Sequence, residues 1–203
     1  MVNDRSGAPD RPVFYFDVGS PYAYLAAERV IGMFVERDLE PPVWQPILLG
    51  GLFKRFDRGS WAHTAEREAG LAEVERRARE YGLPPIRWPD PFPGNTLAAM
   101  RAATYAKQTG RTVAFALAAF RQAFAAGRDL SDPDNVLIAA AACELHPAAV
   151  TKAIETTAVK ETLRDATEAA GDLGVRGVPS LVVEGEVFWG DDRLEDALAA
   201  AVR

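Results

Sequence analysis

Residues 14–22 read Phe14-Tyr15-Phe16-Asp17-Val18-Gly19-Ser20-Pro21-Tyr22. The apolar and aromatic run from Val13 to Val18 ends at Gly19, which is typical of a short buried strand. Ser is a preferred helix N-cap and Pro is preorganised for the first helical position, and apolar residues then follow at helical spacing. The sequence therefore predicts a strand that leads directly into a helix, with Ser20 at the junction.

The chain beyond this junction divides into a helical part and a C-terminal return to strands. Residues 42–48 predict a second strand, although Pro46 restricts hydrogen bonding there. From residue 50 to about residue 160 the pattern is helical, with Gly and Pro between the helices. It includes a highly charged, solvent-facing helix over residues 65–79.

A second helix in this region has an amphipathic stripe, which predicts a face in the core. The stripe consists of Val113, Leu117, Phe120 and Phe124.

The C-terminal part contains two apolar runs, residues 180–183 and 186–189, joined by Glu184-Gly185. This pattern predicts a hairpin, and a last helix follows it. The predicted order of elements is an α/β plan compatible with a thioredoxin-like four-stranded core. We expect residues 12–49 and 161–203 to form a discontinuous thioredoxin-like domain, and residues 50–160 to form a large all-helical insertion domain.

Length and charge limit the possible partners. With 203 residues, 48% of them hydrophobic, the chain can bury one good core. The net charge is −6, and the sequence contains no block of Lys or Arg that could neutralise phosphates, so nucleic acid and anionic membrane are not expected as partners. Residues 1–11 are polar and lack the apolar stretch of a signal peptide, which favours a cytoplasmic location.

The few cysteine and histidine residues argue against an intramolecular disulfide and against a metal site. The single cysteine, Cys143, cannot form an intramolecular disulfide, and its Ala-rich helical context predicts a buried, inert thiol. His63 and His146 are far apart in the sequence and lack neighbouring ligand residues. No metal site is therefore expected.

Three places combine unusual residues with positions that could hold a ligand. At Ser20-Pro21-Tyr22, the N-terminus of a helix could stabilise an anion such as a thiolate, although on this motif alone a simple N-cap is the commoner role of such a serine. At Val178-Pro179 a cis peptide bond would turn the backbone of Val178 toward an extended ligand, but an ordinary trans turn is the commoner arrangement.

The third place is Trp189-Gly190-Asp191-Asp192, between the last strand and the last helix. Two carboxylates in the first turn of a helix interact favourably with its dipole, and they could also hold the ammonium group of a ligand.

Taken in order, these motifs resemble the kappa-class glutathione transferases and, more closely, the 2-hydroxychromene-2-carboxylate isomerases, both of the DsbA-like branch of thioredoxin folds. The resemblance covers nearly the whole chain from Pro12 onward. Its motifs are residues 14–26, Pro46 with residues 49–54, residues 81–84, residues 92–97 with Arg101, residues 177–180 and residues 188–193.

The resemblance implies a role for each matching residue. Ser20 would be the catalytic residue and would donate a hydrogen bond to the thiolate of glutathione. Val178, before a cis Pro179, would pair with the glutathione backbone, and Asp191 and Asp192 would meet its γ-glutamyl end. The expected cofactor-binding set also includes Pro21, Tyr22, Trp189 and Gly190, and the expected substrate-binding set is Lys54, Asn95 and Arg101.

The sequence departs from the family pattern after Lys54. The family often has Thr-Gly-Asn there, with the Asn touching glutathione, whereas this chain has Arg55-Phe56-Asp57-Arg58-Gly59-Ser60-Trp61. The expected cofactor is therefore glutathione or another low-molecular-weight thiol.

The resemblance implies a thiol-dependent isomerase that converts a conjugated aromatic keto acid between cis and trans forms, with a role in aromatic-compound catabolism and a homodimeric assembly. The alternatives are a kappa-like glutathione transferase or peroxidase, and a non-catalytic DsbA-like binding protein. A dithiol oxidoreductase is not expected, because the chain has no Cys-x-x-Cys motif.

Overall fold

The structure, a computed structural model, describes residues 11–202. Residues 1–10, which entered the expectation of a cytoplasmic location, and Arg203 lie outside this range. The strands are β1 (Val13–Phe16), β2 (Val43–Pro46), β3 (Ser180–Val183) and β4 (Glu186–Trp189). The helices are α1 (Pro21–Val35), α2 (Leu49–Arg55), α3 (Arg67–Glu80), α4 (Leu97–Gln108), α5 (Thr112–Phe120), α6 (Pro133–Ala142), α7 (Pro147–Ala153), α8 (Thr157–Asp172) and α9 (Leu194–Ala201).

The four strands form one mixed sheet in the order β2-β1-β3-β4. β1 pairs with β2 in parallel and with β3 antiparallel, so that Phe14 lies between Trp44 and Leu181. All four residues of β1 are buried, as expected for the apolar run in the sequence. Pro46 ends the edge strand β2, where a missing N–H costs no ladder bond. All three predicted strand regions are confirmed.

The helices pack around this sheet and share its hydrophobic core. Phe16 of β1 and Phe120 of α5 are both fully buried, and their ring centroids are 6.0 Å apart. The proposed division between residues 160 and 161 falls inside α8, which spans Thr157–Asp172. The two-domain division stays a prediction, and the core contains residues from both parts.

The face of α5 differs in part from the predicted stripe. Phe120 and Phe124 are buried as expected, but Val113 and Leu117 are only half-buried. Phe115 takes a fully buried place together with small residues of the same helix. Alanines allow neighbouring helices to approach closely, so here small side chains share the buried face with the large ones. The helix also continues into a π turn over Arg121–Ala125, which changes its angular register.

Cys143 caps the C-terminus of α6 and is buried, as predicted. Its thiol donates to the carbonyl oxygen of Ala140 at 3.1 Å. Burial raises the pKa of this thiol, which keeps it protonated and unreactive. Within residues 11–202, every helix is too short or too polar to cross a bilayer.

Candidate active site

A cavity of about 830 Å³ opens where β1 passes into α1. Its size lies within the range of roughly 300–1,000 Å³ that small-molecule sites commonly have. Five parts of the chain line it: residues 17–22, 48–53, 58–66, 92–97, and 177–178 with Trp189. The cavity therefore lies between the sheet and the helical region.

Ser20 lies at the N-terminus of α1 and lines this cavity. Its Oγ accepts a hydrogen bond from the backbone N–H of Ala23 at 3.2 Å, so the hydroxyl caps the helix. The same hydroxyl donates to the carbonyl oxygen of Val178 at 3.3 Å, a long contact. Because that proton has a weak partner, it can turn toward an anion in the cavity, where the helix dipole also favours negative charge.

The loop that faces Ser20 contains a cis peptide bond between Val178 and Pro179. Val178 is buried and also lines the cavity. Pro179 does not line the cavity; its carbonyl oxygen accepts from the N–H of Gly190 at 3.0 Å, which ties the loop to the end of β4. The two motifs that the sequence placed 158 residues apart thus meet directly.

Asp17 lies behind Ser20 as a buried carboxylate in the cavity wall. One oxygen accepts from the N–H of Gly19 at 2.9 Å and from Oγ1 of Thr96 at 3.0 Å, and the other accepts from the N–H of Leu49 at 2.8 Å. Burial raises the pKa of this carboxyl, and the three donors oppose that rise. Asp17 thereby fixes the start of α1 relative to α2 and α4.

Aromatic side chains form one wall of the cavity. The rings of Tyr22 and Trp61 have centroids 6.1 Å apart in an edge-to-face arrangement, and Trp61 and Phe92 follow at 6.0 Å. Such a wall offers flat apolar surface to a planar ligand.

Arg58 also lines the cavity. Its guanidinium carbon is 4.6 Å from the ring centroid of Trp189, and one of its nitrogens donates to the carbonyl oxygen of Arg176 at 3.1 Å. Trp189 in turn packs against Gly177, where an added Cβ would lie 2.8 Å from the indole. This stack places a positive charge beside the Val178 loop.

Asp191 and Asp192 lie away from the cavity lining. The Asp191 side chain is 1% exposed, forms an ion pair with Arg77 at 2.8 Å and accepts a hydrogen bond from the hydroxyl of Tyr81 at 3.0 Å. Burial raises the pKa of the Asp191 carboxyl, opposed first by the Arg77 charge. Asp192 is exposed and lies 3.4 Å from the same guanidinium. Gly190 also lies outside the lining, with a φ of 127° that favours glycine.

The three predicted substrate contacts are not brought together. Asn95 lines the cavity, where its Oδ1 accepts from the N–H of Leu97 at 3.0 Å. Lys54 is exposed on α2 and Arg101 is half-buried on α4, and both lie outside the lining. Their proposed roles stay predictions.

Sequence reasoning gave no role to Asp17, Arg58 or Trp61. A carboxylate at the end of a buried strand was a signal for Asp17, because such a group needs several donors. Arg58 and Trp61 lie in the segment that departs from the family pattern, and nothing local indicates that they face a cavity. Across residues 11–202, no group of three His, Cys, Asp or Glu side chains could hold a metal ion.

Comparison with known proteins finds relatives among isomerases and DsbA-like proteins. The chain is 28% identical over 189 residues to a 2-hydroxychromene-2-carboxylate isomerase from Sphingobium xenophagum, an alignment that covers 90% of this chain and 93% of that one. A solved 2-hydroxychromene-2-carboxylate isomerase superposes with a TM-score of 0.80 at 22% identity, over 95% of this chain and 94% of the other. A probable DsbA oxidoreductase from Streptomyces coelicolor superposes with a TM-score of 0.72 at 22% identity, over 95% and 88% of the two chains.

These structural matches show a DsbA-like thioredoxin fold, as the sequence predicted. The 28% identity to the Sphingobium xenophagum isomerase supports an enzyme of this kind. The family model of the DSBA-like thioredoxin domain matches residues 13–202. Since this match extends over nearly the whole described chain, the protein belongs to the family of DSBA-like thioredoxin domains.

Proposed function

We propose that this protein is a thiol-dependent isomerase of the 2-hydroxychromene-2-carboxylate isomerase kind. The observation that carries the proposal is the Ser20 hydroxyl, which lies at the N-terminus of α1 and beside Val178 in a cavity large enough for two small ligands. A hydroxyl in this position is a donor to a bound anion and need not be a nucleophile.

The residues around Ser20 fit a small thiol cofactor. A bound thiol would supply a sulfur that adds reversibly to a conjugated double bond, permits rotation about it and leaves again. Ser20 would hold the sulfur in its anionic form by donating its proton, aided by the first turn of α1. The Val178 carbonyl, which accepts from Ser20 here, would then be released to pair with an N–H of the ligand.

The fit to glutathione in particular is incomplete. Asp191, the expected contact for the γ-glutamyl ammonium, already forms an ion pair with Arg77 and accepts a hydrogen bond from Tyr81, and it lies outside the cavity lining. Breaking a buried ion pair to bind a ligand is costly. The proposal therefore includes any low-molecular-weight thiol that can reach Ser20.

The aromatic wall supports the second part of the proposal, a conjugated aromatic acid as substrate. Tyr22, Trp61 and Phe92 present ring edges and faces that can hold a planar substrate against the thiol. With a substrate packed against it, the wall would also exclude water from one face of that substrate.

Dithiol exchange of the DsbA kind has no support in this chain. The single cysteine, Cys143, is buried at the end of α6, and serine occupies the helix N-terminus at the cavity. A homodimer, a cytoplasmic location and a role in aromatic-compound catabolism belong to the proposal as expectations.

The test is isomerisation of 2-hydroxychromene-2-carboxylate, followed by ultraviolet absorbance with and without added glutathione. We expect turnover that depends on the thiol. In Ser20→Ala it should fall by about 10- to 100-fold, because a hydrogen bond to a charged group contributes about 1.5–3 kcal/mol.

Thr156→Ala is the matched control, since Thr156 caps α8 with its hydroxyl in the same way but lies outside the cavity lining. Each variant should lose about 1 kcal/mol of stability from the cap, whereas only Ser20→Ala should lose activity. Unchanged turnover in Ser20→Ala would show that Ser20 has no part in the mechanism. Turnover without any thiol would show that the reaction needs no thiol cofactor.

A further inference from the structure

The Lys and Arg side chains are unevenly distributed around the cavity. Among the described residues, Arg58 is the only Lys or Arg in the lining, whereas Lys54 and Arg101 lie outside it. None of the ion pairs within residues 11–202 includes Arg58. Its charge is therefore not matched by a carboxylate of the described chain.

The surroundings hold the Arg58 guanidinium in place without using up its donors. A guanidinium has five N–H donors, and the hydrogen bond to the Arg176 carbonyl at 3.1 Å uses one of them. The Trp189 ring centroid lies 4.6 Å from the guanidinium carbon, and the indole lies close to Gly177. Stacking on an aromatic ring leaves the edge of the guanidinium, with its paired N–H groups, available for a carboxylate.

Two acidic side chains, Asp17 and Glu66, also line the cavity and could repel an anion bound at Arg58. Asp17 is buried and accepts three hydrogen bonds, which spread its charge over fixed donors. Glu66 is exposed, as is Arg58, so solvent screens the charges of both side chains, and the described part of the chain shows no ion pair between them.

We propose that Arg58 is the carboxylate-binding residue of the cavity and a determinant of its preference for acidic ligands. This inference rests on the proposed function, and it gives the carboxylate contact to Arg58 rather than to Lys54, which the resemblance placed in the substrate-binding set. The carboxylate belongs either to the thiol or to the conjugated acid.

The test measures dissociation constants by calorimetry for two carboxylate probes, glutathione and trans-cinnamate, and for a neutral analogue, cinnamamide. In Arg58→Gln the dissociation constant of at least one carboxylate should rise by about tenfold, as expected for one lost charged contact. Cinnamamide should bind the variant as well as it binds the parent protein. Arg58→Lys should give an intermediate loss, because Lys keeps the charge without the paired donors.

Lys152→Gln is the matched control, since it removes one exposed charge outside the lining, and Lys54→Gln tests the rival position for the carboxylate. A loss confined to glutathione assigns the carboxylate to the thiol, and a loss confined to cinnamate assigns it to the conjugated acid. The proposal is overturned if Arg58→Gln binds both carboxylates as the parent does, if cinnamamide weakens equally, if Lys54→Gln gives the larger loss, or if the parent binds neither carboxylate.

These binding measurements separate this inference from the isomerase proposal. Loss of carboxylate affinity in Arg58→Gln, together with no isomerase turnover in the parent protein, would leave Arg58 as the carboxylate site and reject the reaction. Thiol-dependent turnover in Arg58→Gln with unchanged KM and unchanged carboxylate affinity would keep the reaction and reject the role of Arg58.

Discussion

The Asp17 carboxylate joins three parts of the cavity, because its donors come from the start of α1, the start of α2 and the residue before α4. We predict that Asp17→Asn destabilises the fold by about 1–3 kcal/mol. The asparagine oxygen can still accept from Gly19 and Thr96, but its amide nitrogen would face the Leu49 N–H and leave that buried donor unsatisfied. Equilibrium urea unfolding measures the loss.

Thr96→Val serves as the control for Asp17, since it removes one of the three donors and leaves both backbone N–H groups paired. Its expected cost is smaller, about 0.5–1.5 kcal/mol. Equal stability of Asp17→Asn and the parent protein would mean that the three hydrogen bonds do not hold the cavity together.

At the residue scale, the sequence predicted those positions that are marked by a pattern in their immediate neighbours. Ser20 was recognisable from the N-cap pattern, and Val178 from the proline that follows it. The pairing of Asp191 with Arg77 was out of reach, because the two residues are 114 positions apart and their contact depends on how α3 packs. Sequence reasoning therefore left Asp191 free for a ligand.

At the scale of elements, α3 connects the charged surface to the loop after β4. Glu73 binds Arg77 at 2.7 Å, and Arg77 binds Asp191, so the carboxylate of Glu73 helps to orient the arginine. Hydrogen bonds from Arg76 and Arg77 lower the pKa of Glu73 from 4.5 to about 2. A lowered pKa means that the folded state favours ionised Glu73 and the unfolded state protonates first as the pH falls.

We predict that Glu73 contributes stability above pH 4.5 and that this contribution is lost as the pH falls from 4.5 toward about 2. In Glu73→Gln the melting temperature, followed by circular dichroism, should fall less steeply across that window. Glu68→Gln is the control, because Glu68 lies on the same helix with only a 4.0 Å contact to Arg67. Parallel curves for Glu73→Gln and the parent protein would contradict the prediction.

An element was predicted well where the residues that form it are close together in the sequence. The hairpin β3–β4 and the junction of β1 with α1 depend on neighbours in sequence, and both were predicted. The prediction of the buried face of α5 was only partly right. Phe115 and the small residues around it are buried because α5 packs against α4 and α6, and the sequence of α5 alone does not show these contacts.

At the scale of the whole molecule, the question is whether the helical region unfolds apart from the sheet. Phe120 of α5 packs on Phe16 of β1 at 6.0 Å and on Tyr24 of α1 at 6.2 Å, and all three are almost fully buried. A core that is continuous across the two parts favours a single cooperative unit.

We predict that Phe120→Ala lowers the free energy of unfolding by about 3–5 kcal/mol in the sheet and in the helical region alike, since it leaves a cavity at their shared core. Hydrogen exchange followed by mass spectrometry should show the same loss of protection in peptides from β1 and from α4. Val35→Ala, at a position 57% exposed, should change protection by less than about 0.5 kcal/mol. If β1 kept its protection in Phe120→Ala while α4 lost it, residues 50–160 would behave as a separate domain inserted into the sheet.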